Sequence, residues 1–161
     1  MESETLLIIW HSRTGASEAL ARAAGDGAGD LGRVCRAQDV EPDDILAAGG
    51  YLFICPENLA SMSGEMKEMF DRCYYPVLGR IEGRAYATVI AAGSDGEGAQ
   101  RQIDRIATGW RLKRVADPMI VNLSAQTPEG ILAPKNVPSD RLEEARDLAA
   151  ALAEGVSVGI F

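Results

Sequence analysis

"IIWHSRTGASEALARAA", residues 8 to 24, passes from an apolar run through small and hydroxylated residues into an alanine-rich helix. The run TLLIIW (5–10) is short, continuous and rich in leucine and isoleucine, as in a strand buried on both faces. Ala19, Leu20, Ala23 and Ala24 share one face of a helix predicted from Ser17, which the glycines of GDGAG (25–29) bring to a stop. Between strand and helix, HSRTGAS (11–17) supplies the hydroxyls of Ser12, Thr14 and Ser17, with Gly15 letting the backbone pass close to a ligand. The N–H groups opening the helix, and its dipole, point at the same spot. Two readings stand at this point: an ordinary turn with a helix cap, or a seat for a phosphate monoester.

The rest of the chain alternates in the same way. GRVCRA (32–37) reads as a weaker edge strand, and YLFIC (51–55) as a strong one that Pro56 ends. A helix from Gly64 carries Met66, Met69, Phe70 and Cys73 at helical spacing, so these are core positions. RAYATVIAAG (84–93) is the third strong strand, followed by a helix from about Gly98 with Ile103, Ile106, Ala107 and Trp110 along one stripe. PMIVNL (118–123) is a further strand. The polar stretch 124–138 then leads to a last helix opened by Ser139 and buried through Leu142, Ala145, Leu148, Ala149 and Leu152. Strands alternating with helices predict an α/β fold, a five-stranded parallel sheet with helices on both faces. Ligands of such sheets bind beyond the carboxyl ends of the strands. That rule selects three loops, 11–17, 56–64 and 93–98.

Composition narrows the function. The 161 residues fit one domain, 1–161, and the formal charge of −8 comes from 16 basic and 24 acidic side chains. Such a balance repels a nucleic-acid backbone or an anionic membrane surface, while a compact anion in a local pocket stays compatible. With His11 the single histidine, no metal cluster or serine triad has imidazoles to choose from. Cys35, Cys55 and Cys73 form no C-x-x-C pair and read as reduced, buried thiols of a cytoplasmic protein. No apolar run approaches the ~20 residues of a membrane span, and the acidic start MESE lacks a basic signal region. The nucleotide-triphosphatase loop and the G-x-G-x-x-G dinucleotide turn are both missing.

The residues carry a family resemblance. HSRTGAS after a buried strand resembles the phosphate loop of flavodoxin-like proteins, Ser/Thr-x-Thr-Gly-x-Ser/Thr, with Ser12, Thr14, Gly15 and Ser17 in the matching positions. PENLASMSGEMKEMFDR (56–72) resembles the segment after the third strand in NAD(P)H-dependent FMN and quinone reductases of that superfamily, through Pro56, Met62, Ser63, Gly64, Lys67, Phe70 and Asp71. GSDGEGAQRQI (93–103) is similar to their glycine-rich third loop. The resemblance covers about residues 5 to 123. It implies a flavodoxin-like three-layer sandwich with strand order 2-1-3-4-5 and FMN as cofactor. The phosphate would meet His11, Ser12, Arg13, Thr14, Gly15, Ala16 and Ser17. The ring would lie against Pro56, Glu57, Asn58, Leu59, Ala60 and Met62, closed from the other side by Gly93, Ser94, Asp95, Gly96 and Gly98. Backbone amides would meet the ring's polar edge, so no catalytic side chain and no metal is implied. NAD(P)H is the implied electron donor and a quinone-like small molecule the implied acceptor, in a homo-oligomer as often found in the family.

The departures from that pattern are informative. Neither 56–64 nor 93–98 contains an aromatic residue, where single-electron carriers sandwich the ring between aromatics. An open ring face suits a stacking nicotinamide or quinone and favours a reductase. The alternatives are a flavodoxin-type carrier docking through an acidic surface, and a flavin-less relative serving in assembly or regulation. Glu57 stands where many relatives carry threonine; its carboxylate either lies near the flavin, lowering its potential, or points to solvent. His11 either donates to the ligand or packs at the strand end, and Arg13 either meets phosphate or faces water. Trp10 and Trp110 read as core or interface, Tyr74 and Tyr75 as a buried subunit contact. The apolar end GVSVGIF (155–161) packs on its own sheet or on a partner.

Overall fold

Successive residues of the central strands point to opposite faces of the sheet, and in this chain both faces are apolar. The computed structural model describes residues 5–161, so the acidic start MESE lies outside the described residues. The elements run β1 (Leu6–Trp10), α1 (Ala16–Ala28), β2 (Gly32–Arg36), α2 (Pro42–Ala47), β3 (Gly50–Asn58), β4 (Ser61–Met62), α3 (Gly64–Val77), β5 (Ala85–Ala92), α4 (Glu97–Gly109), β6 (Lys113–Arg114), β7 (Met119–Asn122), α5 (Pro128–Leu132) and α6 (Ser139–Val158). Strands β2, β1, β3 and β5 pair in parallel in that order, and β6 and β7 both pair with β5 on its outer side. The fold is therefore flavodoxin-like, with the expected order 2-1-3-4-5 and β5 and β7 as its fourth and fifth strands. The fifth position is filled in two pieces: β6 pairs at Ala85–Tyr86 and β7 at Val89–Ala92.

Alternation along the strands builds two cores. Leu7, Ile9, Tyr51, Phe53 and Cys55 face α3 and α4 through Met66, Met69, Phe70, Ile103, Ala107 and Trp110. Leu6, Ile8, Leu52, Ile54, Ala87 and Val89 face α1 and α6 through Leu20, Ala24, Ala145, Ala149 and Leu152. Full burial of each such large side chain contributes about 1.5–3 kcal/mol. Phe53, Phe70 and Trp110 form a tilted aromatic chain, with centroids 5.1 and 5.6 Å apart.

Several expectations are corrected. Of the glycines at 25–29, Gly29 does stop α1, as its C-cap at φ +55°, but the helix runs on through Gly25 and Gly27 to Ala28, because those two serve packing. A Cβ on Gly27 would lie 2.0 Å from the Arg146 carbonyl oxygen of α6, and one on Gly25 2.7 Å from Val34. Pro56 does not end β3 either. Beyond Ile54, where His11 makes the last bond from the β1 side, the strand has no β1 partner needing an N–H from Pro56. Tyr75 is exposed, and Tyr74 stacks on Trp110 at 5.5 Å while its carbonyl accepts from the indole N–H. At the C-terminus Phe161 folds back onto Gly155, leaving Val158 and Ile160 exposed. Residues 124–138 contain a helical turn, α5, that the polar composition concealed.

Candidate functional site

Four chain segments, not three, meet beyond the carboxyl ends of β1, β3, β5 and β7 and enclose a cavity of about 320 Å³. It lies at the switch of winding direction between β1 and β3, the place such sheets offer to ligands.

The first wall is the loop into α1, with Ser12, Arg13, Thr14, Ala16 and Ser17 on the cavity. Gly15 is the N-cap at φ +101°, a left-handed conformation in which a side chain is strained. Its amide donates to Ser12 Oγ at 3.0 Å, so this donor is satisfied within the loop. The amides of Ala16 and Ser17 in the first turn of α1 have no partner among the described residues. Ser17 Oγ stands out: it is buried, the residue is 1% exposed, and it alone among buried side-chain polar atoms of the described residues lacks a hydrogen bond. A buried hydroxyl is ordinarily paired. One that lines a cavity beside free helix-start amides fits a phosphate group, whose oxygens accept from such donors.

The second wall is a tight hairpin. β3 and β4 pair antiparallel through Glu57–Met62 and Asn58–Ser61, leaving Leu59 and Ala60 as a two-residue turn. Both have positive φ, 53° and 63°, the pattern of a type I′ turn that normally takes Asn-Gly. Left-handed backbone costs a residue with a Cβ about 1–2 kcal/mol. The strained tip presents a fully exposed Leu59 at the cavity rim. Glu57 lies on the cavity and does not point away to solvent. Its carboxylate accepts from the Gly96 amide at 2.9 Å and the Ala99 amide at 3.1 Å, capping α4. Gln102 makes a second clamp: its Oε1 accepts from Ser61 Oγ at 3.0 Å and from the Met62 amide at 2.8 Å.

The third wall holds Gly93 and Ser94, with Ala91 and Ala92 of β5 at the floor. Asn122 Nδ2 donates to the Ser94 carbonyl at 2.7 Å. The fourth wall, Leu123, Ala125, Ile131 and Lys135, was missed by the sequence reading. This strap is pinned at one end by Ala125 N–H to Gly93 O (2.9 Å) and at the other by Lys135 N–H to Thr14 O (2.9 Å). The signal for it was present. Thr127 followed by Pro128 is a helix start, and Thr127 Oγ1 does accept from the Gly130 amide.

Of the predicted positions, Pro56, Glu57, Asn58, Leu59 and Ala60 join those of the first and third walls on the cavity. Others are elsewhere. Met62 is buried with Met66 and Met69 in the core. His11 turns to α3: Ser63 Oγ lies 2.9 Å from Nδ1 and Glu65 2.8 Å from Nε2. Burial holds its pKa below 6.5 in spite of Glu65, with Arg36 and Arg13 adding to the depression. Asp95 is exposed, Gly96 is the N-cap of α4, and Gly98 is the crossing point with the hairpin. A Cβ on Gly98 would sit 2.2 Å from the Ala60 carbonyl oxygen. No cluster of metal-ligating side chains occurs among the described residues, and no helix there is long and apolar enough to cross a membrane.

A flavodoxin-like sheet with a cavity at its switch point defines the class of open α/β proteins that hold ligands beyond the carboxyl ends of their strands. The sequence agrees, matching the NADPH-dependent FMN reductase family over residues 41–127, and the chain belongs to that family. It is 28% identical over 97 residues to a flavodoxin of Aquifex aeolicus (strain VF5), a match spanning 58% of this chain and about half, 52%, of that relative. A flavodoxin from the domain Archaea superposes with a TM-score of 0.75 at 19% identity, over 94% of this chain and 98% of that one. A protein described as an NADPH-quinone reductase from P. pentosaceus does so with a TM-score of 0.65 at 14% identity, over 90% and 97%. At these identities the two structures speak for the fold.

Proposed function

We propose that this chain binds FMN in the four-walled cavity and passes electrons from NAD(P)H to a quinone or another small acceptor. The observation that carries the reading is the pairing of a phosphate-compatible cradle, marked by the orphaned Ser17 hydroxyl, with a mouth free of aromatic side chains. Family membership supports FMN as the ligand. FMN, when bound there, would supply the hydride and electron-transfer chemistry. Ser12, Thr14, Ser17 and the first-turn amides of α1 hold the phosphate. Pro56, Asn58, Leu59 and Ala60 form one wall for the ring, and Gly93 and Ser94 the other. Glu57 keeps these two walls in register through its bonds to Gly96 and Ala99. No side chain is assigned as acid or base, since the Glu57 carboxylate is engaged with amides and His11 with Ser63 and Glu65. The open mouth leaves room for a nicotinamide or quinone to approach. Three free thiols accord with a reducing, cytoplasmic setting.

The competing reading is an electron carrier, favoured by the Aquifex flavodoxin relative and the charge of −8. Steady-state oxidation of NADH and NADPH by FMN-loaded protein, with and without a water-soluble benzoquinone, separates the two. Quinone-dependent turnover without a separate reductase is expected. Yellow protein that consumes almost no nicotinamide is a carrier, and protein that refuses FMN refutes the flavin reading itself.

A further inference from the structure

The strap from Leu123 to Lys135 holds the further inference. It spans from the ring side of the cavity to the phosphate side, joined to Gly93 at one end and Thr14 at the other. Lys135 is half-buried between exposed neighbours and lines the cavity. Its ammonium donates to the carbonyls of Ile131 at 2.9 Å and Ala133 at 2.6 Å, using two of its three N–H groups. It pairs with no carboxylate among the described residues, although acidic groups outnumber basic ones in the chain. Carbonyl oxygens orient an ammonium but do not neutralise it, so a net positive charge is left on the cavity wall. The same cavity contains the unpartnered Ser17 hydroxyl, which points independently to an anion.

We propose that Lys135 is a specificity residue, supplying the positive charge by which the strap selects a phosphorylated flavin over its dephosphorylated form. The proposal rests on the flavin reading above. Arg13 is a weaker candidate for this role because it is exposed on the loop, whereas the Lys135 backbone is tied to Thr14. Two carbonyls and a bound phosphate oxygen together complete the three donors of the ammonium. The Lys135 backbone is tied to Thr14 of the first loop, on the side proposed for the phosphate, so removal of the charge should discriminate between ligands that differ only there.

The test titrates FMN and riboflavin against wild-type protein, Lys135→Met and Lys135→Arg, following quenching of flavin fluorescence at low and high salt. Lys135→Met keeps the aliphatic stem, and a thermal melt checks that it folds. The expected result is about a tenfold rise in the FMN dissociation constant for Lys135→Met. Riboflavin binding stays within about twofold, Lys135→Arg keeps the preference, and the salt dependence of FMN binding is reduced in Lys135→Met. Equal weakening of both flavins makes the strap a mere wall and overturns the proposal, as does an unchanged FMN constant. Wild-type protein that binds neither flavin overturns the underlying reading instead.

Discussion

Replacing Ser17 by alanine has opposite effects on the empty and the flavin-loaded protein. In the empty protein the hydroxyl is buried and unbonded, and such a group costs roughly 1–3 kcal/mol in lost solvation. Alanine removes that cost and has the higher helix propensity, by roughly half a kcal/mol. The flavin-free variant is therefore more stable by about 2 kcal/mol, which raises the melting temperature by roughly 4–8 °C for a chain of this size. On the proposed reading the hydroxyl would donate to a charged phosphate oxygen of bound FMN, a bond contributing about 1.5–3 kcal/mol, so Ser17→Ala should weaken FMN by roughly 10- to 150-fold. Urea unfolding of the flavin-free proteins and fluorescence titration with FMN give the two numbers. A destabilised flavin-free variant would show that the hydroxyl has a partner within the protein. An unchanged FMN affinity would place the phosphate somewhere else and sink the assignment of the cradle.

Glu57→Ala removes two charge-assisted bonds to the start of α4, and chemical denaturation should register a loss of about 2 kcal/mol together with weaker flavin binding. Gly98→Ala brings a methyl against the Ala60 carbonyl oxygen; the hairpin must move, so FMN titration should show a loss of at least tenfold, and wild-type affinity would contradict the crossing geometry. Because burial lowers the His11 pKa below its unfolded value of 6.5, the unfolded chain binds the proton more readily. Stability from this group is full above pH 6.5 and is lost as pH falls through the depressed folded value; urea midpoints between pH 7.5 and 5 measure it, and His11→Gln flattens that part of the profile. Burial pushes the Cys55 thiol up to about 12 and the Cys73 thiol to about 11, and raises Cys35 as well. Cys35 alone of the three is partly exposed, so it alone should react, slowly, with a thiol reagent in folded protein at pH 8.

Burial periodicity made the fold legible. Strands such as Leu6–Trp10 and Ala85–Ala92 are apolar on both faces, and only a sheet covered on two sides accounts for that. The first three walls of the cavity were legible for a related reason, since the loops after the strong strands must gather at one end of the sheet. What the sequence hid were contacts made by closeness rather than by residue type. Gly27 looks like a helix stop and is a packing notch, because the Arg146 carbonyl that fills it comes from a distant helix. Glu57 offered solvent or flavin as destinations, while its actual partners are backbone amides about forty residues away, which no side-chain pattern advertises. The strap escaped notice because polar composition described its surface and not its two anchors.

The notch at Gly27 also governs how the opposite end of α1 behaves. With the backbones of α1 and α6 in near contact, the long C-terminal helix acts as a splint along the shorter one. On the proposed reading, an anion arriving at Ser17 would then meet a receptor set in advance of its arrival. Little conformational freedom is surrendered on capture, and affinity can come from few polar groups because none is diverted to stiffening the helix that presents them.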